Sequence, residues 1–120
     1  NDAFFKLTGL RWKLAKAICV HESHGDEFAV GDNGDAQGLF QLHAAFAQDY
    51  VTPALSASMI IMRGVPFVSI NIMKTYFMLC GVSMDDEDVL GNFHDGHGGW
   101  KERGDKDGYV KAVLAILDTL

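Results

Sequence analysis

The sequence predicts a mainly α-helical fold in a single domain. Apolar residues recur at three- and four-residue steps over much of the chain, and Gly, Asp and Asn gather in two stretches that read as loops. The length of 120 residues, 48% of them hydrophobic, suits one core rather than two. A chain of this size buries about two thirds of the surface its unfolded form exposes, enough to fold without metal or disulfide staples. The formal charge of −6, from 10 Lys and Arg against 16 Asp and Glu, excludes attachment to nucleic acid or anionic membrane by bulk charge, since that needs a basic face.

Taken in order, Leu7, Leu10, Leu14, Ala15, Ile18 and Cys19 share one helical face and predict a first helix over 3–21 with Asp2 as its N-cap. Residues 25–38 collapse into Gly, Asp and Asn and predict an ordered loop or small β-hairpin. A second helix is expected over 39–50, closed by Pro53. Residues 54–63 are apolar and Met-rich without a clear period, and Gly64 and Pro66 mark a break before a helix over 67–80 capped by Gly81. Ser83 with Asp86 resembles a capping box and predicts a short helix to about Asn92. A second glycine-rich loop spans 94–108, and a last helix from about Asp107 buries Val110, Val113, Leu114 and Leu117.

No stretch reaches the roughly 18 apolar residues of a membrane span; the nearest, 65–79, is interrupted by Ser69, Asn71, Lys74 and Thr75. Nothing at the N-terminus reads as a signal peptide, and an opening at Asn1 is expected of a processed product or a piece of a longer chain. Cys19 and Cys80 fall in apolar helical patterns, so free buried thiols are expected ahead of a bridge.

Glu22 continues the face of Ile18 and Cys19 where the first helix meets the glycine loop. A carboxyl there is partly desolvated, which raises its pKa and suits a general acid; by position alone, a solvated helix-end Glu is the plainer reading. Its neighbours shift the balance. Glu22-Ser23, Ala29-Val30, Gly34 and Gly38-Leu39-Phe40-Gln41 together resemble the Glu-Ser, Ala-Val, Gly, Gly-Leu-Met-Gln signature of the soluble lytic transglycosylases and goose-type lysozymes. Further on, Asn92-Phe93-His94-Asp95-Gly96-His97-Gly98 is similar to their Ala-Tyr-Asn-Ala-Gly-x-Gly loop, and Tyr109-Val110 with Val113-Leu114 to their closing helix.

The resemblance implies a lysozyme-like helical domain with a substrate groove, acting as a single monomeric unit. It implies an enzyme that cleaves the β-1,4 bond between N-acetylmuramic acid and N-acetylglucosamine in peptidoglycan strands, with Glu22 as the acid and no cofactor or metal. The same carboxylate suffices for a transglycosylase, which closes the sugar as a 1,6-anhydro product. An inverting hydrolase needs a second carboxylate to activate water, and Asp32 is the candidate. An Asx-turn within Asp32-Asn33-Gly34 is the alternative for that residue. Ser23, Phe40, Gln41, Phe93, His94 and Tyr109 carry over as substrate- or acid-contacting positions. Gln41 is expected to meet an N-acetyl group, Phe40 a sugar face, and Tyr109 the catalytic carboxyl; helix packing is the competing reading for Phe40 and Gln41.

Phe93-His94 departs from the family's Tyr-Asn, residues 51–66 match none of its motifs, and the acidic charge is unusual for an enzyme of an anionic wall. Two other classes follow. One is a wall-binding module without turnover. The other is a metallohydrolase built on His21, His24, His94 and His97, although His21-Glu22-Ser23-His24 is one residue short of the zinc-peptidase pattern. The expected place of action is the bacterial cell wall, reached from the periplasm, by secretion or on a virion.

Overall fold

In the computed structural model, which describes residues 1–51 and 53–120, Asn1 rather than Asp2 starts the first helix: its side chain accepts from the Ala3 N–H at 2.9 Å. Helix α1 covers only Asp2–Lys6, and α2 covers Trp12–Ser23. The continuous helix expected over 3–21 is therefore broken. Gly9 adopts φ +100°, which no right-handed helix contains, and Thr8 turns its hydroxyl back onto the Phe5 carbonyl at 2.8 Å. Folding of α1 against α2 returns Phe5 to the core, but Leu7 and Leu10, expected on the buried face, lie in the break and are 50% and 90% exposed.

The loop after α2 forms the small antiparallel hairpin, with β1 (Val30–Gly31) paired to β2 (Ala36–Gln37) so that Val30 faces Gln37 and Gly31 faces Ala36. A single turn over Asp32–Gly34 joins them, and all three of its residues have positive φ. The chain then doubles back. Gln37 and Leu42 exchange both backbone bonds, at 3.2 and 3.1 Å, which leaves 38–41 as a tight turn with Gly38 at φ +79° and Gln41 at φ +50°. For that reason the helix expected over 39–50 is only α3, Ala44–Asp49, and it ends before Pro53.

The Met-rich stretch is helical: a 3-10 turn at Pro53–Leu55 leads into α4, Ser56–Ile61. Helix α5 spans Pro66–Cys80, with Pro66 in its first turn and Gly81 at its C-cap. Asp85, not Ser83, caps α6 by accepting from the Asp88 N–H at 3.0 Å. Helix α6 runs over Asp86–Arg103 and bends at Gly96 (φ +74°), so most of the glycine-rich stretch expected as loop is helix with a kink. The kink lets Trp100 fold back over Gly91, where a Cβ would lie 2.0 Å from the indole, while Trp100 Nε1 donates to Asp88 at 2.7 Å. Helix α7, Tyr109–Leu117, buries Val110 and Val113 fully and Leu114 and Leu117 in part.

The core gathers Leu14, Ala15 and Ile18 of α2, Ile72, Met73 and Phe77 of α5, Val89 and Leu90 of α6 and Val113 of α7. Helix α2 lies between α1 and α7, and α7 packs in turn on α6. Tyr76 joins α5 to α6, its hydroxyl donating to the Val89 carbonyl at 2.5 Å. Cys19 and Cys80 are both free thiols, the first buried and the second half-buried. No described helix is long and apolar enough to cross a membrane.

Candidate active site

Glu22 is the penultimate residue of α2 and reaches a cavity of about 220 Å³ whose wall includes Asp32, Gln41, His43, Phe93 and His94. Its neighbour Ser23 explains why the helix end and the glycine turn meet there. Ser23 Oγ donates to the Leu39 carbonyl at 2.7 Å and lies 3.2 Å from that of Cys19, while the Gly25 N–H donates to it at 3.2 Å. A buried hydroxyl with this many backbone partners is a strut. It pins the Gly38-Leu39-Phe40-Gln41 turn against α2 and is not presented to the cavity.

The same turn decides Phe40 and Gln41. Phe40 has no exposed surface and packs edge-on to Phe5, with centroids 6.3 Å apart; a ring without accessible area has no face to lay on a sugar. The expectation for Phe40 is corrected accordingly. Gln41 lines the cavity, but its amide donates to the carbonyls of Ala29 at 2.9 Å and Gly38 at 3.0 Å. Both donors are thus spent on the loop, and the amide oxygen is what remains for a ligand.

Asp32 does not fold back into its own turn. Its carboxylate lies 2.7 Å from His43 Nε2, both residues lining the cavity, and the side chain stays largely exposed. Asp35 supports the arrangement from behind by accepting from the Ala44 N–H at 3.1 Å. Arg63, buried just past the end of α4, ties the whole loop down: Nε donates to the Leu42 carbonyl at 3.0 Å, Nη1 to that of Ile60 at 2.7 Å, and Nη2 to Asp35. Beside it Gly64 is pressed against Gly38, where a Cβ would lie 2.7 Å from the Gly64 carbonyl oxygen. Residues 60–64, which match no motif, thereby set the position of the site loop.

Phe93 and His94 of α6 complete the lining. His94 bonds Asp107 at 2.6 Å and stacks on Tyr109, with centroids 4.0 Å apart and planes 8° from parallel. His21 meets the same ring edge-on at 4.9 Å. Phe93 packs on Phe46 at 5.0 Å. His43, Phe46, Phe93 and His94 also line a second cavity of about 680 Å³, floored by Tyr50 and Tyr76, so the two spaces share a wall.

Electrostatically, burial pushes the Glu22 carboxyl above the ordinary carboxylate range. The Tyr109 hydroxyl, His94 and His43 draw it down, and Asp32 pushes it up. Tyr109 is close enough to act on that proton, yet its buried hydroxyl makes no hydrogen bond of good geometry. Burial, followed by the nearby Glu22 carboxyl, holds the phenol itself far above its usual range. The bond from His94 holds Asp107 below the usual carboxylate range.

The four histidines considered as metal ligands are not gathered into one set. Among the described residues the grouping compact enough for an ion is His94, Asp95 and Asp107, with ligand atoms within 4.8 Å of one another, and it leaves out His21, His24 and His97. His43, Arg63 and Asp107 are the site residues that motif reasoning missed: each acts through a partner distant in sequence, 11 residues away for His43 and Asp32, and no local pattern marks such a pairing. Compared with known proteins, the chain matches no family model, no curated protein and no solved structure, so its chemistry is read from the geometry of this cavity.

Proposed function

We propose that this chain is a lysozyme-like glycosidase that cleaves the β-1,4 bond between N-acetylmuramic acid and N-acetylglucosamine of peptidoglycan, with Glu22 as the general acid. The observation that carries the reading is the placement of Glu22: a half-buried carboxyl with raised pKa, opening into a cavity that also holds the Asp32 carboxylate. Glycoside cleavage passes through an oxocarbenium-like state, and a proton must reach the leaving oxygen as its bond stretches. A carboxyl whose pKa is raised by burial is suited to deliver it. The adjoining aromatic cavity, with the half-buried Phe46, Tyr50 and Phe93 in its walls, offers apolar faces of the kind a sugar chain packs against.

Asp32 separates hydrolysis from 1,6-anhydro closure. Paired with His43 at the cavity instead of bonded within its own turn, it supports the hydrolytic branch. A wall-binding role without turnover is the second reading, favoured by the spent amide of Gln41 and the pairing of His94 with Asp107. Incubation of the protein with purified sacculi, followed by mass analysis of the soluble fragments, tests both. Fragments with reducing ends, absent with Glu22→Gln, are the expected result; binding without release overturns the glycosidase.

A further inference from the structure

We infer that His43, oriented by Asp32, is the base that takes the proton from the attacking water. This rests on the proposed glycosidase reading and adds a residue to it. His43 occupies the N-cap position of α3 and its side chain makes no bond to that helix. Asp35 bonds the Ala44 N–H instead. Freed from capping, the imidazole points Nε2 at Asp32 Oδ2, 2.7 Å away. A carboxylate accepts from Nε2–H, which leaves the lone pair of a neutral imidazole on Nδ1, and Nδ1 makes no hydrogen bond among the described residues. Acceptor, orienting carboxylate and acid thus stand around one cavity, the arrangement by which a third group fixes a base.

The turn that presents Asp32 is built at a conformational cost. Asp32 and Asn33 both adopt positive φ, of 49° and 57°, in succession. An exposed pair of this type adds little to stability, so holding the fold does not account for it.

In the reaction, the Glu22 proton passes to O4 of the departing N-acetylglucosamine as the C1–O4 bond breaks. The water oxygen bonds to C1 of the muramic residue, and its proton moves to Nδ1 of His43, whose imidazolium charge faces Asp32. One proton exchanged through solvent, off His43 and onto Glu22, restores both groups.

The test compares wild type, His43→Gln, His43→Asn and Glu22→Gln on sacculi, with and without sodium azide, each variant first shown to melt as a folded protein. Glutamine keeps a donor for Asp32 but takes no proton. The expected result is loss of reducing-end release by about a hundredfold or more in both His43 variants. Azide attacks C1 without losing a proton, so it restores cleavage with glycosyl azide ends in the His43 variants and not in Glu22→Gln. A His43→Gln protein at wild-type rate overturns the inference, as does a slowed variant that azide does not rescue, or a wild type that yields anhydro ends. A wild type that releases nothing overturns the glycosidase reading itself.

Discussion

His94 lies flat on the ring of Tyr109, 4.0 Å away, and is held there by Asp107, which also accepts from the Tyr109 N–H at 3.1 Å. The stack fixes the phenol beside Glu22 without giving its hydroxyl a hydrogen bond of good geometry. A buried hydroxyl left in that state contributes desolvation cost and no bond. Tyr109→Phe is therefore expected to melt at the wild-type temperature or above it in a calorimeter. Because the hydroxyl draws the Glu22 pKa down, its removal should also move the basic limb of the activity profile to higher pH. A lower melting temperature with an unmoved limb would contradict both roles.

Wall cleavage should fall as pH rises through the raised Glu22 value. An acid catalyst works only while protonated, and burial lifts this carboxyl above 4.5, its ordinary value. Rates on sacculi across the pH range check this. A basic limb that begins at an ordinary carboxylate value would show that burial does not govern the group.

The same burial predicts an exchange of stability for function. A group whose folded pKa is raised contributes stability that is fully present below the unfolded pKa and is lost as pH climbs through the folded one. Glu22→Gln does not titrate. It should melt above wild type at pH 7 to 8, with the gain shrinking toward zero as pH is lowered past about 4.5. Melting curves at several pH values decide it.

Arg63→Met keeps the apolar stem and removes the guanidinium. The carbonyls of Leu42 and Ile60 lose a charged donor and keep only the backbone N–H groups of Gln37 and of Arg63 itself, and Asp35 loses its guanidinium partner. Hydrogen bonds to a charged group are worth about 1.5–3 kcal/mol, so a loss of about 2 kcal/mol is expected by urea unfolding. Cleavage should weaken along with it, because Asp35 and Leu42 flank the loop that carries Gln41 and His43.

Two glycines of α6 should respond in opposite directions. Gly91→Ala drives a methyl into the Trp100 indole and should cost about 1–3 kcal/mol. A methyl added at Gly98 would meet nothing within 4 Å, and its φ is not in the left-handed region, so Gly98→Ala should stabilise by about 0.5–1 kcal/mol. Paired melting curves read both.

Local periodicity makes the helical class, α5, the first half of α6 and α7 readable, because each buries one face along its own length. Glu22 is readable for the same reason: its cavity lies on the line of Ile18 and Cys19. What escapes such reading is set by distant backbone. The break at Gly9 does not interrupt the spacing of apolar residue types, so the pattern across it reads as one helix although Leu7 and Leu10 end up exposed. The turn at 38–41 is imposed by the pairing of Gln37 with Leu42, and a run of Leu, Phe, Gln and Leu gives no hint of it. Phe40 reads as a sugar platform among motif residues and as core once its neighbours in space are known. Gly96 kinks a helix that a count of glycines reads as loop, since Gly98 and Gly99 accept helical dihedrals between the kink and Trp100.

The meeting of Gly38 and Gly64 sets the size of the portable unit in this molecule. Two backbones touch there with no side chain between them, and Arg63 is bonded to the same loop one residue earlier. A graft of the cavity onto another scaffold that carried only residues 22–43 would leave its floor unsupported. A transplant of this wall with its own foundation runs from the acid to Gly64, with Phe93 and His94 of α6 needed to close the cavity, and the motif-free apolar segment at its end is as much a component of it as the carboxylates are.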